Sequence, residues 1–167
     1  AHFTGVSTMA TKQQRPKSRD PEKEEREWSA FVAAIQSPPS PTKASSKPYK
    51  IAFELYTTEH TYCVKGLDAL HEQFYAPLLT VWSPEQVKAV FPSFPTMRAL
   101  HHGFFQELHG VVASWGADGD DAAGAARVGA LFARYAPFFK SYRAFVVAAG
   151  TRDARLAAAR RGGAADE

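Results

Sequence analysis

The chain has 167 residues, a one-domain length, with 20 Lys and Arg against 17 Asp and Glu for a net charge of +3, and the surplus sits near its two ends. That distribution argues against a nucleic-acid-binding face, and no apolar run approaches the ~20 residues needed to span a bilayer. The single cysteine, Cys63, excludes an intramolecular disulfide and fits a reducing, cytoplasmic setting, while 12 Phe, 6 Tyr and 3 Trp suffice for a globular core.

The first stretch, Ala1 to about Lys47, is unlike the remainder: two polar or proline-rich tracts flank a short charged segment. Thr4 to Arg19 lacks periodicity and is expected to be flexible. Asp20 and Pro21 then make a helix start, and Glu22, Glu24 and Glu25 fall near the positive end of its dipole. Trp28, Phe31, Val32 and Ile35 share a face, predicting a short helix over about 20–36 that docks on the core or covers a binding face. The segment SPPSPTKASSKP, Ser37 to Pro48, is too rich in proline and serine to read as packed structure; within it Ser37 and Ser40 each precede proline and could accept phosphate.

From Ile51 to Leu79 the sequence predicts one long amphipathic helix. Ile51, Leu55, Thr58 and Tyr62, then Leu67, Leu70, Phe74 and Leu78, recur at spacings of three and four with one step of five, and that face is expected to be buried. Ser45, Ser46 and Pro48 supply its start, and Pro77 marks where it bends or stops. Ser83, Pro84 and Gln86 make a capping box for a short helix that Pro92 ends. Starting at Ser93 and Pro95, Met97, Leu100, Phe104, Leu108, Val111 and Trp115 keep an unbroken helical spacing until Gly116 and the loop Ala117 to Gly124. A third long helix carries Val128, Leu131, Phe132, Tyr135, Phe138, Tyr142 and Phe145, with Pro137 expected to kink or split it. Gly150 closes it, Thr151 caps a last helix through about Arg161, and residues 162–167 form a tail. No strand-like alternation occurs, so the fold class is all-α, a helical bundle of about 115 residues.

Other chemistries fit poorly. His102 and His109 share a helix face but lie about 10 Å apart along the axis, and neither an HExxH nor a paired-cysteine spacing exists, so no metal site is expected. Asp118, Asp120 and Asp121 begin like a calcium loop, but Ala122, Ala123 and Gly129 stand where a ligand, a glycine and a glutamate are required. Neither a phosphate-cradling glycine loop nor a Gly-x-Ser-x-Gly elbow is present, and nothing points to bond-breaking catalysis or to a cofactor. The arginines Arg152, Arg155, Arg160 and Arg161 read as a solvated helix end.

The helix from Ile51 resembles the opening motif of the Dbl-homology (DH) domain of Rho-family guanine nucleotide exchange factors. Its Glu-Leu, Thr-Glu, Tyr-Val and aromatic-Pro-Leu positions are here Glu54 and Leu55, Thr58 and Glu59, Tyr62 with Val64 one place late, and Phe74, Tyr75, Pro77 and Leu78. Two further blocks follow in order. Phe91, Phe94, Met97, Leu100, His101 and Trp115 resemble the second, and Gly129, Phe132, Pro137, Phe138 and Tyr142 hold places of the next.

The resemblance covers Tyr49 to about Arg161 and implies an elongated bundle of the DH type, cut before the family's last long helix. By the resemblance, Glu54 contacts the switch region of a Rho-family small GTPase of Rho, Rac or Cdc type, with Thr58 beside it. Glu59, on the opposite flank, is assigned to local packing or helix electrostatics. Leu55, Tyr62, Leu70, Phe91, Leu100, Phe104, Leu108, Trp115, Phe132, Phe138 and Tyr142 form the expected core. The implied activity is GDP release without covalent chemistry, metal or cofactor, with membrane contact only through adjoining domains. The rival from another class is a helical binding or scaffold module without exchange. The chain begins with Ala1 rather than Met, as a piece of a longer protein or a processed product would. With the last block absent, weak or no exchange is expected of these residues alone.

Overall fold

The computed structural model describes residues 20–118 and 120–163; the tract Thr4 to Arg19, predicted to be flexible, lies outside them. The chain divides into two units, Ala1–Gln36 and Ser37–Glu167. In the first, α1 spans Pro21–Ala34, and the Asp20 side chain caps it by accepting the Glu22 N–H at 3.1 Å. Trp28 and Phe31 pair their rings at 5.9 Å, one helical step apart.

In the second unit the described residues form helices and turns without a strand. Its leading segment departs from the sequence expectation, since the proline-rich stretch is held down rather than left loose. Pro38 is buried, the Tyr49 hydroxyl donates to the Pro39 carbonyl at 2.7 Å, and the Lys50 ammonium donates to the Lys43 carbonyl at 3.2 Å. Proline-rich backbone has few donors of its own, so its carbonyls are available to side chains of the neighbouring helix.

That helix, α2, spans Lys47–Thr61, with Ser46 as its cap and Pro48 in its first turn. It runs on through two π-helical stretches, Tyr62–Asp68 and His71–Tyr75, into α3, Ala76–Val81. Pro77 therefore does not stop it. The second π turn closes with the Ala76 N–H on the His71 carbonyl, and Pro77 falls in the first turn of α3, where a backbone donor is not required.

A short helix α4, Pro84–Val90, starts with the predicted capping box, in which Ser83 and Gln86 exchange side-chain bonds with each other's backbone. Then α5, Phe94–Asp118, runs 25 residues or about 38 Å. It is followed by α6, Asp121–Tyr135, a 3-10 stretch Ala136–Ser141, α7, Tyr142–Ala149, and α8, Arg152–Gly163. Two sequence boundaries shift. Asp120 caps α6 by accepting the Ala122 and Ala123 N–H groups, so the predicted loop at Ala117 to Gly124 is mostly helix. Helix α8 also continues through Gly162 and Gly163, where a tail was expected. The 3-10 stretch follows from Pro137, which removes a donor and tightens the turn, as predicted.

The core lies where α2, α5 and α6 pack on one another. Phe94, Met97, Phe105, Leu108, Val112, Leu131 and Cys63 are almost wholly enclosed. Helices α5 and α6 approach so closely that a Cβ on Gly124 would lie 2.2 Å from the Trp115 indole. Trp115 Nε1 donates to Asp121 Oδ1 at 3.2 Å, and Ser46 Oγ donates to the same oxygen at 2.6 Å, so one carboxylate joins the starts of α2 and α6 to the end of α5. At the other end, Arg155 of α8 donates to the Ala89 carbonyl of α4 at 2.8 Å. Among the described residues no helix is long and apolar enough to cross a membrane.

Candidate functional site

Two stripes compete for the core on α2, and the larger one wins. Tyr49, Ala52, Tyr56, Cys63 and Leu67 turn inward, where Tyr56 stacks on Phe105 at 5.3 Å and Tyr49 meets Trp115 edge-on at 5.9 Å. The first half of the stripe read from sequence as buried lies toward the other side, while of its second half Leu67 is buried, Leu70 and Leu78 are half-buried and Phe74 is 54 % exposed. Ile51 is 57 % exposed, Thr58 is exposed, Tyr62 is 37 % exposed and Leu55 is half-buried. Two tyrosines remove more apolar area from water than Ile51 and Thr58 would, and this sets the helix rotation.

The outward face therefore combines apolar and polar groups. At its centre is Glu54, exposed, whose carboxylate has no hydrogen bond or ion pair among the described residues. Lys50, one turn before it, gives its ammonium to the Lys43 carbonyl instead. The Thr57 hydroxyl turns back to the Glu54 carbonyl at 2.9 Å and that of Thr61 to the Thr57 carbonyl at 3.0 Å, while Thr58 is exposed. Glu54 and Thr58 are neighbours at i and i+4, as the sequence spacing requires.

The inner flank holds a polar relay that the sequence reading did not assemble. Glu59 accepts from His101 Nδ1, His101 Nε2 meets the Tyr142 hydroxyl, and Tyr142 meets Tyr62 at 2.9 Å between oxygens. The imidazole and both hydroxyls can each donate or accept, so the chain of contacts runs unbroken from the Glu59 carboxylate to Tyr62. Burial, together with the neighbouring Tyr62, pushes the Tyr142 hydroxyl well above its ordinary value, so it remains protonated. The Cys63 thiol also reaches Glu59 Oε1, at 3.8 Å, and burial raises its pKa with the Glu59 charge adding to the effect. A thiol so placed is packing rather than a nucleophile.

A second buried cluster lies one turn further on. Asp68 Oδ1 accepts from Arg98 Nε and Nη2, both at 2.8 Å, and pairs with His102 Nε2 at 2.9 Å. No local pattern announced it: Asp68 and Arg98 follow Leu67 and Met97 directly, off the predicted apolar stripes, and 30 residues separate them. No group of three His, Cys, Asp or Glu among the described residues could hold a metal ion.

Of the remaining residues expected in the core, Phe104, Leu108 and Trp115 are buried, and Leu70, Phe91, Leu100 and Tyr142 are half-buried. Phe132 and Phe138 depart from that expectation, at 39 % and 54 % exposed. The 3-10 turn after Tyr135 changes the residues per turn from 3.6 to 3, so Phe138 leaves the face that Leu131 occupies. Phe132 shows only an edge-on contact to Phe104 at 5.2 Å.

Residues 51–158, the outward face of α2 and both polar clusters among them, match the family model for the RhoGEF domain. The chain belongs to the RhoGEF domain family. The chain is also similar to Protein ECT2 of Mus musculus, with 30 % identity over 126 residues, which is 71 % of this chain and 13 % of that protein. The chain thus spans only a small part of the curated relative it matches. No solved structure matches it significantly. Within the RhoGEF domain, Glu54 and Thr58 sit on the solvent side of α2 and Glu59 on the core side.

Proposed function

We propose that this RhoGEF domain promotes GDP release from a Rho-family small GTPase, of Rho, Rac or Cdc type, using the outward face of α2. The observation that carries the reading is the exposed Glu54 carboxylate without an internal partner, set between Ile51 and Thr58 on a face the core does not use. An unpaired carboxylate amid exposed apolar and hydroxyl groups suits a protein partner that brings hydrogen-bond donors. The free, buried Cys63 and a GTPase partner favour a cytoplasmic setting.

Exchange of this kind breaks no covalent bond. A domain that binds the nucleotide-free GTPase more tightly than the GDP form must, by linkage, weaken GDP binding by the same factor. It acts as a nucleotide-exchange catalyst through shape and charge alone, and the nucleotide and its magnesium belong to the GTPase. The decisive measurement compares the affinity of the chain for nucleotide-free and GDP-bound Rho-, Rac- and Cdc-type GTPases, with release of a fluorescent GDP followed in parallel. Preference for the nucleotide-free form supports exchange; tight and equal binding to both forms supports the scaffold reading instead. Glu54→Ala is expected to reduce that preference about 10- to 100-fold, the worth of a hydrogen bond to a charged group. An unchanged preference would remove Glu54 from the site.

A further inference from the structure

The leading segment of the second unit contains two serines followed by proline, and the structure separates them sharply. Ser37 precedes Pro38, which is buried, and the Ser37 side chain is engaged by Tyr56. A kinase that reads proline in the next position must close around that ring, and the ring of Pro38 is not available to it.

Ser40 is different in each respect. It is exposed, Pro41 beside it is partly exposed, and three positions on is Lys43, also exposed, in the sequence Ser40-Pro41-Thr42-Lys43. The position three after Ser37 is Ser40 itself and carries no charge. The backbone around Ser40 is in neither helix nor strand, and prolines at 38, 39 and 41 restrict it to extended conformations, the form in which peptide segments enter recognition grooves. It is also anchored on both sides, by the Tyr49 hydroxyl on the Pro39 carbonyl and by the Lys50 ammonium on the Lys43 carbonyl. A phosphoacceptor on such a segment is presented without unfolding anything.

We propose that Ser40 is a phosphorylation site for a proline-directed serine/threonine kinase, with the Pro41 ring and the Lys43 charge as its recognition elements. The Ser40 hydroxyl oxygen attacks the γ-phosphorus of Mg·ATP, the bond to the β-phosphate oxygen breaks, ADP departs, and the hydroxyl proton passes to the catalytic base of the kinase. The product places between one and a half and two negative charges, roughly, on a segment followed by three lysines, Lys43, Lys47 and Lys50. Lys43 is within about 11 Å of Ser40 along the chain, Lys50 already reaches the Lys43 carbonyl, and Lys47 opens α2 between them. None of the three has an acidic partner among the described residues. A phosphate there would draw the Lys50 ammonium from a neutral carbonyl to an anion and tighten the strap on the base of the helix that carries Glu54.

The test requires no GTPase, so its outcome is independent of the exchange reading. The full chain, folded, is incubated with a purified proline-directed kinase and Mg·ATP, and phosphate is counted by intact mass and located by peptide mapping. The expected result is one phosphate on Ser40, abolished by Ser40→Ala, unaffected by Ser37→Ala, and introduced at least about tenfold more slowly in Lys43→Ala. Phosphate on Ser37 or on Ser83, which also precedes a proline, in place of Ser40, or no phosphate while an unfolded peptide of residues 35–46 is labelled, would overturn the assignment. Equal rates for the chain and Lys43→Ala would overturn the recognition role of Lys43.

Discussion

Asp68 offers the sharpest test of how the bundle is held together. Its Oδ1 oxygen takes two donors from Arg98 and one contact from His102, and the Asp68 and Arg98 side chains are 11 % and 9 % exposed. Asp68→Ala leaves the Arg98 guanidinium and the His102 ring without that carboxylate in a site that water barely reaches. Removing one member of a buried ion pair costs about 3–5 kcal/mol. Against a total stability of about 5–15 kcal/mol this is a large fraction, and for a unit of this size it lowers Tm by about 10–20 °C. Urea unfolding followed by tryptophan fluorescence measures it, with an unchanged slope showing that only stability moved. Arg98→Met added to Asp68→Ala should recover part of the loss, since it removes the buried guanidinium that has lost this carboxylate. The comparison is Arg134→Ala, which removes an exposed contact to Glu107 and should cost under about 1 kcal/mol. If Asp68→Ala costs no more than Arg134→Ala, the buried cluster does not hold α5 to the helix that carries Glu54.

Three further outcomes follow from individual sites. Gly124→Ala should destabilise by about 1–3 kcal/mol despite its better helix propensity, because the new Cβ would lie 2.2 Å from the Trp115 ring; a more stable variant in urea would contradict the close approach of α5 and α6. Cys63 should react with an aromatic disulfide reagent at pH 8 at least about 100-fold more slowly in the folded chain than in urea, since burial both encloses the thiol and raises its pKa; equal rates would refute its burial. Burial lowers the pKa of His109 below its ordinary 6.5, so the unfolded chain binds the proton more readily than the folded one. Its contribution to stability is present above pH 6.5 and is lost as pH falls from there toward the folded pKa, and His109→Gln should flatten the fall of the urea midpoint below pH 6.5 relative to the parent chain.

Much of this architecture was written in local patterns. The capping box at Ser83, the cap at Ser46, the stripe from Met97 to Trp115 and the break at Pro137 each follow from a few adjacent residues, and the helices form there. Even the step of five from Tyr62 to Leu67 had a structural meaning, because π-helical bonding joins residues five apart and the first π stretch begins at Tyr62. What local pattern did not supply was the choice between faces. Ile51, Leu55, Thr58 and Tyr62 are spaced as well as Tyr49, Ala52, Tyr56 and Cys63, and only the partners Phe105 and Trp115, distant in sequence, decide which set is enclosed. Likewise the relay from Glu59 to Tyr142 joins residues 41 or more apart, and no spacing rule reaches that far.

The rotation of α2 gives its two glutamates opposite tasks. Five residues at 3.6 per turn separate Glu54 and Glu59 by about 140°, so one cannot face the core without the other facing solvent. Glu59 is tied to His101 and, through Tyr142, to α7, which fixes the helix about its own axis. Glu54 then has its direction set by a bond it does not make. If that is how the site is aimed, His101→Ala should weaken the GTPase interaction without touching the outward face, and His101→Asn should restore part of it by donating again to Glu59. Both variants are compared at a temperature where circular dichroism shows each fully folded, so that loss of fold is not mistaken for loss of aim. A folded His101→Ala domain with the full preference of the parent chain for nucleotide-free GTPase would show that packing of Tyr56 on Phe105 alone orients the helix.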